Sequence, residues 1–151
     1  MFLGCRTLHS VPLLDTSKVT NMAQMFETCS ALTSVPLFNT TNVTSMRYTF
    51  LECFALHSVP LFDTSNVTNM WSTFLSCSSL SAIPPFDVYN VTNCQQMFID
   101  CKNVSKGILD MYNALSVRES AILDHSLCFR NCGISSETGS AELAQIPSDW
   151  K

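Results

Sequence analysis

The chain has 151 residues, a formal charge of −4, 46% apolar residues and only 13% charged ones. That length bounds it to one domain, and an acidic pI near 5.1 excludes the basic stripe of a nucleic-acid binder. No apolar run approaches the roughly 18 residues of a membrane-spanning helix. Met1-Phe2-Leu3 has neither the basic start nor the continuing apolar stretch of a signal peptide. With charge so scarce, the polar face falls to Ser, Thr and Asn, a composition of extracellular character.

Cysteines 5, 29, 53, 77 and 101 recur every 24 residues. Val19-Thr20-Asn21-Met22, Val43-Thr44-Ser45-Met46 and Val67-Thr68-Asn69-Met70 keep that interval, and so do Pro12, Pro36, Pro60 and Pro84. Phe2, Phe26, Phe50, Phe74 and Phe98 repeat in step with them. A fixed period in the twenties marks a stacked solenoid, because one unit cannot bury its own apolar face and must borrow its neighbours'. The first residues, Met1-Phe2-x-x-Cys5, match the middle of a unit, Met25-Phe26-x-x-Cys29. We therefore expect a fragment of a longer array, or an uncapped N-terminus that self-associates end to end with another chain.

Within one unit, Leu32-Thr33-Ser34-Val35-Pro36 reads as a short strand ended by a proline that has no N–H to give. Leu32, Val35 and Leu37 fit an L-x-x-L-x-L core. Phe38 to Asn42 reads as a turn. Met46, Phe50 and Cys53 then fall at helical spacing, with Ser45, Asn21 and Asn69 in N-cap positions. Asn21 and Gln24 resemble a capping box. The expected architecture is an α/β repeat solenoid, leucine-rich-repeat-like, of short parallel strands and short helical turns. Residues 1–101 form the regular array, and 102–151 form a divergent last repeat and irregular C-terminal cap of the same domain. Cys128-Phe129-x-x-Cys132 and Leu143 to Pro147 restate repeat elements there. Ile108, Met111, Tyr112 and Leu115 form a helical stripe, and Trp150 covers the last apolar layer.

The eight cysteines all occupy repeat slots. Cys94 and Cys128 stand where other copies carry Met, so the slot takes a small apolar filler. Stacked units would hold equivalent residues roughly 4.8 Å apart with parallel Cβ vectors, too far for a disulfide. Buried free thiols are therefore expected, with Cys128 and Cys132 the exception to watch for oxidation. Zinc is a weak reading of a lone C-x3-C. His9 and His57 share a column two units apart, roughly 10 Å, too far for one metal. Asp15, Asp63 and Asp87 alternate with Asn39, which suits a turn former better than a calcium ladder. The sequons at Asn42, Asn66 and Asn90 are by-products of the repeat. No G-x-S-x-G, H-E-x-x-H or Gly-rich loop occurs, so neither an enzyme nor a cofactor is expected.

Binding should use positions that vary between copies. One such column reads Ala23, Arg47, Trp71, Gln95; the next reads Gln24, Tyr48, Ser72, Gln96; a third reads Ser30, Phe54, Ser78, Lys102. Arg47, Tyr48 and Trp71 should cluster on adjacent units, and these residue types dominate binding hot spots. Phe54 and the strand-face column of His9, Thr33, His57 and Ser81 are the other candidates.

The phrase Cys53-x-x-Leu56-x-Ser58-Val59-Pro60-Leu61-Phe62-Asp63-Thr64-Ser65-Asn66-Val67-Thr68-Asn69-Met70 resembles the repeat of BspA-type leucine-rich repeat surface proteins. The match runs through residues 1–101, and the ending Glu142 to Lys151 resembles that of many such proteins. The chain departs from a typical leucine-rich repeat in placing Thr16, Thr40 and Thr64 where an Asn ladder would be. The resemblance implies a bacterial, extracellular or cell-surface adhesion module that binds a protein or glycan, with no catalytic residues. Similar arrays in phage proteins leave a structural spacer or virion component as the alternative.

Overall fold

The computed structural model describes residues 1–117 and 123–151. Copies of the 24-residue unit stack into a solenoid, and each sequence column becomes a ladder through the interior. The Phe column runs unbroken: ring centroids from Phe2 to Phe26, Phe50, Phe74 and Phe98 are 5.5 to 5.6 Å apart, and Phe98 lies 5.7 Å from Phe129. Phe38, Phe62 and Phe86 form a second buried file beside it. Leu32, Leu56, Leu80 and Val43, Val67, Val91 are fully buried. Each such side chain contributes about 1.5–3 kcal/mol on leaving water. At the first copy, Phe2, Leu8, Leu14 and Val19 are partly buried and pack against this core.

Polar ladders tie the units together between these files. The Thr16, Thr40 and Thr64 hydroxyls donate to the carbonyls of Asn39, Asp63 and Asp87 at 2.7 to 2.8 Å. An Asn ladder is also present. The Nδ2 groups of Asn42, Asn66 and Asn90, the three sequon asparagines, donate to Ser17, Thr41 and Ser65 carbonyls. The buried Thr16, Thr40 and Thr64 hydroxyls are thus satisfied by the unit next door, as burial requires.

Two local elements differ from the sequence expectation. Among the described residues, parallel pairing is reduced to single bridges, Asn21 to Ser45 to Asn69 to Asn93 to Asp124. It falls on the column expected to cap a helix, not on Leu32 to Pro36, which is irregular. The helical turn is absent as well. Met46 to Thr49 and Phe50 to Cys53 are successive turns closed by bonds of 3.1 Å. Their third residues, Tyr48 and Glu52, sit at φ 59° and 57°, the signature of type II turns. The reason is competition for amides. Met46, Tyr48, Phe50 and Glu52 give their N–H groups to carbonyls of the following unit at 2.8 to 3.0 Å, and a helix would spend those donors internally. Asn21, Asn69 and Asn93 accordingly accept from the amide two residues on rather than capping a helix. Leu37, assigned to the core by its spacing, is exposed. In the next copies, Phe62 and Phe86 bond back to the Pro60 and Pro84 carbonyls at 3.0 and 2.8 Å. This γ-type turn sends its middle residue outward.

The C-terminal region closes the stack. Helix α1 (Ile108–Ser116) buries Ile108, Met111 and Leu115. Its start, Gly107, offers no side-chain cap, and the Glu142 carboxylate from α2 (Glu137–Ala144) instead accepts from the Ile108 and Leu109 amides at 2.8 and 3.1 Å. A carboxylate at a helix N-terminus satisfies orphan donors and opposes the dipole favourably. A 3-10 turn at Ser148–Trp150 lays Trp150 over Phe129 and His125.

Candidate functional site

Tandem turns bring the variable columns to one surface. Tyr48 donates its amide to the Trp71 carbonyl at 3.0 Å, and the Trp71 amide is held by Asn69 Oδ1 at 3.0 Å. Trp71 therefore lies one unit along from Arg47, as its column position requires. The Tyr48 and Trp71 rings meet at 5.0 Å and 51°. The Arg47 guanidinium carbon lies 4.7 Å from the Tyr48 ring centre and 5.3 Å from that of Trp71. All three side chains are half-buried rather than fully exposed. Such cation–π contacts contribute about 0.5–2 kcal/mol each and hold the guanidinium in place.

Two features leave this cluster able to engage something else. Arg47 has no ion-pair partner among the described residues. The Trp71 indole N–H is buried and lacks a hydrogen-bond acceptor, and Glu27 Oε2 is likewise unpaired. A pre-positioned guanidinium and two aromatic faces suit a carboxylate, a sulfate or a sugar ring.

The remaining candidates do not join it. Phe54 is exposed but makes no ring contact with Trp71 among the described residues. His57 is exposed, and its backbone serves the stack, donating to Thr33 and accepting from Ser81 at 3.1 Å each. No group of three or more His, Cys, Asp or Glu among the described residues could hold a metal ion. Asp15 and Asp63 are held below the usual carboxylate range by the hydroxyls and amides of Ser17 and Ser65. That is turn chemistry, and it explains why Asn39 serves equally in the column, bonding Thr41 in the same way. All eight cysteines are free, Cys128 and Cys132 included.

Sequence reasoning missed one surface: Leu13, Leu37 and Leu61 are exposed side by side in successive units. Their constancy from copy to copy looked like core packing. The signal was the proline before each of them, which starts the outward turn.

The sequence matches the family described as "Mycoplasma protein of unknown function, DUF285" over residues 1–112. The chain belongs to that family. No curated protein sequence matches it. Among solved structures, a leucine-rich repeat protein from Eubacterium ventriosum is similar, with a TM-score of 0.55 and 22% identity over 86% of this chain. The DUF285 chain spans only 34% of that protein. The leucine-rich repeat protein of T. pallidum gives a TM-score of 0.52 at 17% identity, covering 95% of this chain and 72% of the other. These likenesses establish the fold as a leucine-rich-repeat solenoid. No helix among the described residues is long and apolar enough to cross a membrane.

Proposed function

We propose that this DUF285 chain is a non-enzymatic binding module, at the cell surface or secreted. It recognises a protein or glycan through Arg47, Tyr48 and Trp71. The observation that carries this reading is the guanidinium held over two aromatic rings with no ion-pair partner among the described residues. Low charge and a Ser, Thr and Asn exterior agree with an extracellular setting.

The test compares wild-type protein with the Arg47→Ala/Trp71→Ala double variant on a glycan array and on immobilised extracellular matrix proteins. Capture should fall at least tenfold in the variant, with its melting temperature kept within a few degrees. Equal capture by both proteins, or none by either, would leave the chain a structural spacer.

A further inference from the structure

On a surface separate from the Arg47 cluster, an apolar ridge runs along the stack. Leu13, Leu37 and Leu61 are 69%, 59% and 55% exposed, far more than any interior column. Pro12, Pro36 and Pro60 widen the ridge by one residue, themselves exposed or half-buried. Between Leu37 and Leu61 lies a groove of about 360 Å³, with Asn39, Thr41 and Asp63 on its rim. Isolated exposed leucines are unremarkable, but a contiguous file of them marks an interaction surface.

The flank of this ridge says what kind of partner fits. Two residues beyond the leucines run Asp15, Asn39 and Asp63, followed by Asp87, all exposed. Residues 9–15, 33–39, 57–63 and 81–87 contain no Lys or Arg. Ser17 and Ser65 occupy one carboxylate oxygen of the exposed Asp15 and Asp63, which fixes the side chains. Ring centroids in the Phe file lie 5.5 to 5.6 Å apart from copy to copy. An α-helix has a pitch of about 5.4 Å. Apolar residues on successive turns of a helix laid along the stack would therefore drop between successive leucines, ridge into groove. The chain already does something similar at the far end. There Asp110, Met111 and Ala114 of α1 line, with Pro84, Pro85 and Phe86, a cavity of about 330 Å³.

We infer that the Leu13, Leu37 and Leu61 ridge, with the Asp15, Asp63 and Asp87 row beside it, docks a basic amphipathic helix of a partner protein. The inference rests on the reading of the chain as a binding module, but not on the Arg47 cluster. A bilayer is the poorer fit, since anionic headgroups would face the carboxylate row.

The probe is a labelled 18-residue amphipathic peptide of Leu and Lys, with a Lys and Ser peptide of equal charge as control, read by fluorescence anisotropy at low salt. The wild-type chain should bind the first at least tenfold more tightly than the second. Leu13→Ser/Leu37→Ser/Leu61→Ser should remove that preference. Asp15→Asn/Asp63→Asn/Asp87→Asn, which leaves the ridge intact, should weaken binding several-fold and flatten its salt dependence. The Arg47→Ala/Trp71→Ala variant should bind as wild type. No preference for the apolar peptide, unchanged binding by the Leu variant, loss in the Arg47 variant, or stronger partition onto phosphatidylserine vesicles would each overturn the inference. Capture through the Arg47 cluster in the earlier experiment would survive any of these results.

Discussion

The cysteine column shows how much one atom can contribute to a repeat. The Cys29, Cys53, Cys77 and Cys101 thiols donate to the carbonyls of Phe2, Phe26, Phe50 and Phe74 at 3.0 to 3.1 Å. A methionine at this slot would fill space but give no donor, so the column stays cysteine while neighbouring columns exchange Cys for Met. Burial as such was legible from that exchange; the thiol-to-carbonyl bond was not, because it depends on the rise between units. Desolvation pushes the Cys53 thiol up to about 12, and Cys77, Cys101, Cys128 and Cys132 are raised by the same cause. A folded-state pKa above the ordinary 9.0 means the stabilisation is fully present below pH 9.0 and is lost as pH climbs through the folded value. Urea midpoints should therefore hold steady on this account from neutral pH to about pH 8.5 and fall above about pH 9. At pH 8, an aromatic disulfide reagent should titrate one thiol rapidly, the exposed Cys5, and all eight after denaturation. Several fast thiols in the native protein would contradict the ladder.

At the scale of the single unit, the sequence pointed to the right buried residues, Leu37 excepted, and to the wrong backbone. Met46, Phe50 and Cys53 are buried as a helical stripe would bury them, yet a chain of type II turns presents the same side chains at nearly the same spacing. The clue lay in a neighbouring column. Gly4, Thr28, Glu52, Ser76 and Asp100 all have φ between 57° and 73°, with Asn131 at 55° in the cap. Gly, Asp and Asn at one slot of a repeat are the residues that tolerate the left-handed region. Thr28 is β-branched and is the most strained of the set. Thr28→Gly distinguishes the two backbones by sign. In a helix it would cost a few tenths of a kcal/mol. In this turn it removes about 1–2 kcal/mol of left-handed strain, of which about 0.4–1 kcal/mol is offset by a more flexible unfolded chain. The variant should thus gain about 0.5–1 kcal/mol and melt a few degrees higher by calorimetry. A lower melting temperature would restore the helical reading.

For the whole molecule, the period of 24 was sufficient to specify the architecture, because a fixed offset dictates which residue lies above which. The meeting of Arg47, Tyr48 and Trp71 was legible for the same reason. The leucine ridge was not, since repetition alone does not say whether a column faces inward or outward. Stability in such a stack is a sum of units and nearest-neighbour interfaces, so identical substitutions in one column should differ by position. Phe50 is fully buried, with Phe26, Phe62 and Phe74 at 5.6, 6.3 and 5.5 Å. Phe2 is partly buried and meets Phe26 alone, at 5.5 Å. Phe50→Ala opens a void between two units and should cost about 3–5 kcal/mol. Phe2→Ala loses one ring contact and should cost about 1–2 kcal/mol. In urea the inner variant should also broaden the transition, because the void weakens the interface through which the halves of the array support each other. The outer variant should only shift the midpoint. Equal losses at both positions would mean that the Phe file does not couple the copies, and that each one stands without its neighbour.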